Sequence, residues 1–431
     1  MKWPIVPISD FCKTGSGGTP LRSKSDRYYG GQIPWVKSGE LKKDVITETE
    51  EYITDAALVE SSAKLIPSGA ILVAMYGATV GQTSILGVEA TTNQAICHIL
   101  PNPQIAISQF LWYVLRSKLS ELLSQRFGGA QPNISQQIIK NTQISLPPLS
   151  EQRRIVEILD QADALRRMRA EADAKSERIL PALFIKMFGD PATNPMGWEM
   201  LPISDLAEVQ GGLQLTPKRE NYPITMPYLR VANIYRNKLA LDEIKYIKVT
   251  KNELERIALQ SDDILIVEGH GNRQEIGRCA IWDASIQPCL HQNHLIRVRV
   301  DKTKVEPIYI SDFINSSGGR EQLFRFGKTT SGLNTISVSN VKNTMIPIPP
   351  LTLQKSYALK VQAAKTIQFE IDKQREKIDK LFSCVLQRAF TGKLTAKWRE
   401  AHMKELLAEI EEQAKALNLR DKADPQQLSL L

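Results

Sequence analysis

Apolar residues return at steps of three and four through Ile155, Ile158, Leu159, Ala162, Leu165, Met168, Ala172, Ile179 and Leu183. The same rhythm runs through Tyr357, Val361, Ala364, Ile367, Ile371, Ile378, Leu381 and Val385. Such spacing gathers the apolar side chains on one stripe of a helix, which predicts two long helices, 150–190 and 352–390. Each follows a Pro-Pro pair. Ser150 and Thr352 stand in the N-capping place, and Glu151 suits the positive end of the first helix. Neither run has an internal glycine; only Pro181 interrupts the first, near its end. At about 39 residues each, they would span about 55–60 Å. Two narrow apolar seams find partners most readily in one another, so the helices are expected to pack as an antiparallel coiled-coil spacer.

Elsewhere the pattern shortens. Ile71–Tyr76 and Gln82–Leu86 are predicted to be strands around the Gly-rich turn at Gly77 and Gly81. Ile264–Val267 is a further apolar strand. Leu295–Val300 alternates apolar residues with Arg297 and Arg299, as expected of a half-exposed strand. Ser108–Phe127 and Pro307–Phe326 have helical periodicity. The fold class that follows is α+β.

These elements occur in the same order twice. Trp3-x-x-Val6-Pro7-Ile8-Ser9-Asp10 returns as Trp198-x-x-Leu201-Pro202-Ile203-Ser204-Asp205, and Ile33-Pro34-Trp35-Val36-Lys37 as Met226-Pro227-Tyr228-Leu229-Arg230. Asn133-Ile134-Ser135 matches Thr335-Ile336-Ser337, and Leu146-Pro147-Pro148-Leu149 matches Ile348-Pro349-Pro350-Leu351. A repeat this long is a duplicated domain with its linker, not a solenoid of about 20–50-residue units. The expected division is 1–149, a first mixed domain; 150–190, a helix; 191–351, a second mixed domain; 352–395, a second helix; and 396–431, a tail. Lys397–Leu417 within that tail reads as a solvated or partner-docking helix.

Composition narrows the function classes. The 431 residues are 42% hydrophobic and 24% charged, ordinary for a soluble globular chain. Five cysteines without CxxC spacing suit a reducing compartment, and a cytoplasmic location is expected. Leu65–Val88 carries no charge but holds Pro67, Gly69, Gly77, Gly81 and Gln82, which suit strands and turns better than a membrane helix. The formal net charge of +8 permits a nucleic-acid partner. No block owns it: residues 1–149 carry +2 and 352–390 carry +4.

Motifs for catalysis are missing from the sequence. Gly77-Ala78-Thr79-Val80-Gly81-Gln82-Thr83 lacks the spacing and lysine of a phosphate loop. No Asn/Asp-Pro-Pro-aromatic motif of an amino-methyltransferase occurs. Asp262-Asp263 and Glu268 read as a turn and loop rather than nuclease ligands, and Cys289-x-His291-x-x-His294 lacks the second close pair of a zinc site. What remains is donor-rich loops in both repeats. Arg22, Lys24, Arg27, Lys37, Tyr76, Thr79, Asn93, Arg126, Gln131 and Asn133 are the DNA-contact candidates in the first. Lys218, Arg219, Arg230, Asn233, His270, Asn272, Arg273, Asn293, Arg325, Lys328 and Asn334 are those in the second. Cations neutralise phosphate while Asn, Gln and Arg address base edges. Their recurrence at matching places favours duplex DNA as the ligand.

Several phrases carry a family resemblance: Ile33-Pro34-Trp35-Val36, Gly69-Ala70-Ile71-Leu72-Val73, Tyr76-Gly77-Ala78-Thr79-Val80-Gly81 and Leu146-Pro147-Pro148-Leu149-Ser150-Glu151-Gln152. Met187-Phe188-Gly189-Asp190-Pro191 and Ala389-Phe390-Thr391-Gly392-Lys393-Leu394 close the two helices. In this order they make the chain resemble the specificity subunit of type I restriction–modification enzymes. The second repeat departs from the pattern, with Glu268-Gly269-His270-Gly271-Asn272 in place of Tyr76-Gly77-Ala78-Thr79, and Leu353-Gln354-Lys355 in place of Ser150-Glu151-Gln152. The resemblance implies two target-recognition domains joined by the helical spacer and no catalysis by this chain. It further implies double-stranded DNA, two adenine-N6 methyltransferase subunits and motor–nuclease subunits as partners. S-adenosylmethionine, ATP and magnesium would sit on those partners, with no cofactor or metal on this chain. A stand-alone nuclease or methyltransferase, and a duplicated protein-binding scaffold, are the competing classes.

Overall fold

The computed structural model describes residues 3–124, 133–330 and 333–417, with the backbone alone at 328–330 and 333. The chain forms two compact units, Met1–Arg169 with Arg375–Leu431, and Ala170–Gln374. Each unit therefore holds one mixed domain and a share of both long helices.

In the first unit, a five-stranded sheet runs in the order Cys12–Ser16, Ile96–Pro101, Ile71–Ala74, Thr83–Leu86, Val45–Ile46. The strand Ile71–Ala74 is buried on both faces. Ile71 and Val73 pack with Phe110, Leu111, Ile155 and Leu159, whereas Leu72 and Ala74 pack with Val36, Ile46 and Leu86. Period-2 alternation thus feeds two apolar layers at once, which is why this run carries no polar residue. A three-stranded sheet of Glu51–Ile53, Tyr29–Val36 and Thr91–Thr92 lies in the same domain, with Tyr29–Val36 central.

The second unit repeats the plan. Its four-stranded sheet runs Ala207–Gly211, Leu295–Val300, Ile264–Val267, Cys279–Ile281, and its three-stranded sheet Lys245–Val249, Ile224–Leu229, Leu290–His291. Ile264 and Ile266 face one core while Leu265 and Val267 face another. Each domain is closed by a short antiparallel pair, Ile5–Pro7 with Gln143–Ser145 and Glu199–Pro202 with Met345–Ile348. The duplication read from the sequence is thus a duplication of topology.

The expected single helices over 108–127 and 307–326 are each divided, into Ser108–Ser117 and Leu119–Ser124, and into Pro307–Asn315 and Ser317–Phe326. Ser316 ends one helix and caps the next, its hydroxyl accepting from Gly319 N–H. The first long helix is Leu149–Ser176 followed by Ile179–Phe188; the second is a continuous Leu351–Phe390. Pro181 therefore falls in the first turn of a new helix, where its missing N–H has no intrahelical acceptor to lose. In the first unit Arg166 meets Asp379 at 3.3 Å and lies 4.4 Å over the Phe382 ring, while Glu151 lies beside Arg399, past the second helix's end. In the second unit Ser176 bonds Gln368, and Phe184 and Phe188 pack edge-on against Tyr357. Within each unit the two helical segments therefore run antiparallel.

Three expectations change. Ser150 and Thr352 are not caps, because the helices begin one residue earlier, at Leu149 and Leu351. Ser150 instead gives both its N–H and its hydroxyl to Glu409. Second, the repeats keep a glutamine in register: Gln354, not Lys355, matches Gln152. Gln152 donates to the Ile105 and Pro147 carbonyls and accepts from Ile107 N–H, while Gln354 donates to Pro349 and accepts from Glu306 N–H. Both side chains are fully buried, each tying the start of a long helix to its domain. Third, the tail is not a solvated helix. Ala396–Ala401 and Met403–Ala416 pack on the first unit, burying Leu406, Ile410, Gln413 and Leu417. Gln413 donates to the same Ile105 and Pro147 carbonyls as Gln152. Among the described residues, no helix is long and apolar enough to cross a membrane.

Candidate nucleic-acid interface

In each unit the central strand leads into a loop held by the same backbone scaffold. In the first, Met75 N–H donates to Ala95 C=O, Ile134 N–H to Met75 C=O, and Gly81 N–H returns to Ala74 C=O. In the second, Glu268 N–H donates to His294 C=O, Ile336 N–H to Glu268 C=O, and Gly277 N–H returns to Val267 C=O. Gly81 and Gly277 have φ of 82° and 71°, and a Cβ on either would lie within 2.6 Å of a leucine. Both constraints call for glycine. Between the matching anchors lie residues 75–80 in the first unit and 268–276 in the second. The scaffold is shared and the loop is not.

This scaffold collects candidates distant in sequence. Tyr76 bridges Asn133, and the turn containing Thr79 is closed by Gln82 N–H donating to the Thr79 carbonyl. Asn93 lies on the adjoining segment, its N–H on the Val36 carbonyl. In the second unit, Gly269–His270 pairs with Leu333–Thr335, placing His270 opposite Asn334. The Asn334 amide donates to the His270 and Gly271 carbonyls at 3.5 and 3.2 Å. His270 Nδ1 accepts Asn272 N–H, and the Asn272 side chain caps the short helix Arg273–Glu275. Arg273 reaches the Phe324 carbonyl. Asn293 is fixed by its N–H on Leu213. Arg126 and Gln131 lie outside the described residues, as does the side chain of Lys328.

Most of the remaining candidates are gathered around the three-stranded sheets, where carboxylates and backbone carbonyls occupy most of them. Arg22 meets Glu51 at 2.7 Å and lies 4.1 Å over the Tyr29 ring. Arg27 grips Glu60 through two nitrogens, and Lys37 lies between Glu50 at 2.8 Å and Glu51 at 3.0 Å. Hydrogen bonds to those two glutamates hold the Lys37 ammonium above its ordinary pKa. Lys24 lies 5.8 Å from the Tyr28 ring. In the second unit Arg219 forms a fork with Glu253 at 3.1 and 3.2 Å, and also donates to the Gln214 and Lys248 carbonyls. Arg230 reaches Glu243 at 3.3 Å. Asn233 is buried, with its amide donating to Ala240 and Glu243 and its oxygen accepting from Arg230 N–H. Lys218 is exposed, and Arg325 meets Glu321 one helical turn away.

Arg297 and Arg299 depart from the expected half-exposed strand. Arg297 is buried, donating to Glu208 at 2.7 Å and to the Arg256 carbonyl; Arg299 forks onto buried Asp263 and reaches the Ala258 carbonyl. The helix Lys251–Ile257 and its exit supply those carbonyls, so the basic face of the strand is roofed rather than solvated. His291 shares this layer, fully buried, and burial with the nearby Arg297 charge pushes it down to about 3. Its counterpart in the first repeat is Thr92, by the matched pairings Leu229–His291 and Val36–Thr92.

A pH dependence follows. Above about 6.5, His291 is neutral in both folded and unfolded chains. Between there and about 3 the unfolded chain takes up a proton that the folded chain refuses, so stability falls as pH falls. The second unit should lose about 2 kcal/mol more between pH 7 and pH 5 than an H291T variant does. Denaturant unfolding at both pH values measures this; equal losses would refute it.

Sequence reading did not assemble two features beside the loop. Glu268 and His294, 3.4 Å apart, stand where the first unit has the apolar Met75 and Ala95. Arg236, Arg278 and Arg320 converge on Gln274–Glu275, with Arg273 the preceding residue. In-register comparison of the repeats would have exposed the first; no local spacing signals the second. Among the described residues, no three His, Cys, Asp or Glu are grouped to hold a metal.

The profile described as "Type I restriction modification DNA specificity domain" matches residues 1–174 and 195–379. The specificity subunit of the type I restriction enzyme EcoKI from Escherichia coli strain K12 is 25% identical over 427 residues, covering 92% of this chain and 90% of its own. That of MjaIX from Methanocaldococcus jannaschii is 25% identical over 414 residues, covering 91% and 93%. Among solved structures, a chain from work on complex assembly and conformational transition of the type I R-M system shares the fold. It superposes with a TM-score of 0.61 at 18% identity, over 91% of this chain and 98% of that one. With both halves matched over nearly the whole of each mixed domain, the chain belongs to the type I restriction–modification DNA specificity family.

Proposed function

We propose that this chain is the non-catalytic reading subunit of a type I restriction–modification complex, and that its two units read the two different halves of a bipartite, asymmetric DNA word. The observation that carries this is the pairing of one shared backbone scaffold with two unlike loops, at 75–80 and 268–276. Tyr76, Thr79, Asn93 and Asn133 would address one half, and His270, Asn272, Asn293 and Asn334 the other, with amides and ring nitrogens facing base edges. Arg22, Arg27, Lys37 and Arg219, already held by carboxylates, shape the domains more than they hold phosphate. Half-sites on one duplex face would be about one turn, roughly 34 Å, apart.

The long helices would carry two adenine-N6 methyltransferase subunits, and the complex would recruit motor–nuclease subunits. S-adenosylmethionine, ATP and magnesium would be bound by those partners. Leu359, Ile367 and Phe369 on the second long helix are each more than 60% exposed, an apolar content that supports a protein partner there.

Mapping methylated adenines with and without the gene should return two short words separated by unread bases; a continuous palindrome would sink the proposal. Asn133→Ala should relax one word and Asn334→Ala the other, each by about 1–3 kcal/mol of discrimination. Methyl transfer by the purified chain alone would instead make it an enzyme.

A further inference from the structure

The second unit concentrates guanidinium groups where its own carboxylates do not balance them. Arg236 donates to the Gln274 carbonyl, Arg320 to the Gln274 side-chain oxygen at 2.8 Å, and Arg278 to Glu275 at 2.9 Å. Arg236 also approaches Glu275, at 3.7 Å. Arg273 sits one residue before Gln274, exposed, with Nη2 donating to the Phe324 carbonyl at 3.3 Å. Among the described residues, Glu275 is the one carboxylate in ion-pair reach of Arg236 and Arg278, and Arg273 and Arg320 have none. Arg236 Nη1, Arg278 Nε and Arg320 Nε are buried without a hydrogen-bond partner.

Crowding like charges in a partly desolvated place is unfavourable unless an anion completes it. Burial, followed by the Arg320 charge, holds Arg236 below its ordinary pKa, which marks that crowding. Among the described residues the first unit has no such group: Gln82 stands at the place of Arg278, since Ala74 N–H donates to the Gln82 carbonyl as Val267 N–H does to that of Arg278. The cluster also adjoins the loop proposed to face bases. Asn272 caps the very turn that carries Arg273, Gln274 and Glu275.

We infer that Arg236, Arg273 and Arg320, buttressed by Arg278, form a phosphodiester clamp of the second unit that seats the DNA backbone beside the His270–Asn334 loop. The inference rests on the DNA-reading function proposed above. Guanidinium forks suit phosphate oxygens, and two of these groups are also held over aromatic rings, Arg278 at 4.9 Å from the Tyr235 ring centre and Arg320 at 5.3 Å from that of Phe324. Glu275 holds the cluster together until phosphate arrives. The clamp belongs to one half only, so the two units would contribute unequally to the salt dependence of binding.

The test uses the full chain and a random-sequence duplex, with affinity followed against potassium chloride concentration. R236Q/R320Q should lower the slope of log affinity on log salt by about two, at roughly 0.9 per phosphate contact. R236K/R320K should restore most of that slope, because lysine still neutralises phosphate; a structural role for the forks would not be rescued. E275Q, which keeps every arginine, should tighten binding severalfold. If R236Q/R320Q does not fold, E275Q decides: unchanged or weaker binding overturns the clamp. An unchanged slope in a folded R236Q/R320Q also overturns it, and loss of methyltransferase binding at unchanged slope would assign the cluster to a protein partner instead. Absence of salt-dependent DNA binding by the unaltered chain would sink the DNA-reading function itself, a separate result.

Discussion

Replacing Glu151 by alanine is expected to destabilise the first unit by about 3–5 kcal/mol, the range for removing one partner of a buried ion pair. Glu151 is fully buried. It accepts from Trp3 Nε1 at 2.9 Å, Thr395 Oγ1 at 2.5 Å and Arg399 Nε at 2.8 Å. One carboxylate thereby ties the beginning of the chain, the start of the first long helix and the turn after the second. Its loss leaves the Arg399 guanidinium, 11% exposed, against the Trp3 ring with, among the described residues, only the Gly392 carbonyl and the Thr395 hydroxyl as acceptors. E151Q, which keeps the shape and one acceptor, should do less damage. Glu151→Leu combined with Arg399→Met should recover much of the loss, because an apolar pair avoids the desolvation penalty. The second repeat already has Leu353 at this place. Denaturant unfolding of the full chain reads the effect, and an E151A midpoint indistinguishable from that of the unaltered protein would remove Glu151 as the anchor.

Seven residues inserted into both long helices, between 169 and 170 and between 374 and 375, should widen the gap between the two half-site words by about three base pairs. Two helical turns add roughly 10 Å, and duplex DNA rises about 3.4 Å per base pair. Seven is chosen because it keeps the phase of an apolar stripe packed at close to 3.5 residues per turn. Lengthening both helices keeps them matched; one alone would leave its partner short. Methylome mapping should return the same two words at a larger separation. Unchanged separation in a variant that still methylates would show that the helices do not act as the ruler.

The candidate interface was partly legible. Repeated phrases located the loop around Tyr76 and its counterpart around His270, because flanking strands and prolines recur in order. The partners were not legible. Asn334 was singled out by its place just before the repeated Thr335-Ile336-Ser337, matching that of Asn133, yet its amide is on the His270 and Gly271 carbonyls, across the sheet. Capping was misplaced at Ser150, since a hydroxyl next to Pro-Pro looks like a cap whether or not the helix starts one residue earlier.

By itself the sequence determined the duplication, the order of strands and helices, the two long amphipathic runs and the family. All of these are written in colinear phrases and in periods of two or about 3.6 residues, and neither needs distant parts of the chain to meet. Only the tertiary structure decided which cations are already taken and which are crowded together. Arg27 finds Glu60 across 33 positions, Arg219 finds Glu253 across 34, and Arg399 finds Glu151 across 248. It also decided that residues 396–417 fold back on the first unit and that Arg297 lies under a roof. The physical reason is range. Backbone periodicity is local, whereas the environment of a charge depends on whatever the fold brings within a few ångströms, and identical surface-like sequences become free, paired or buried accordingly.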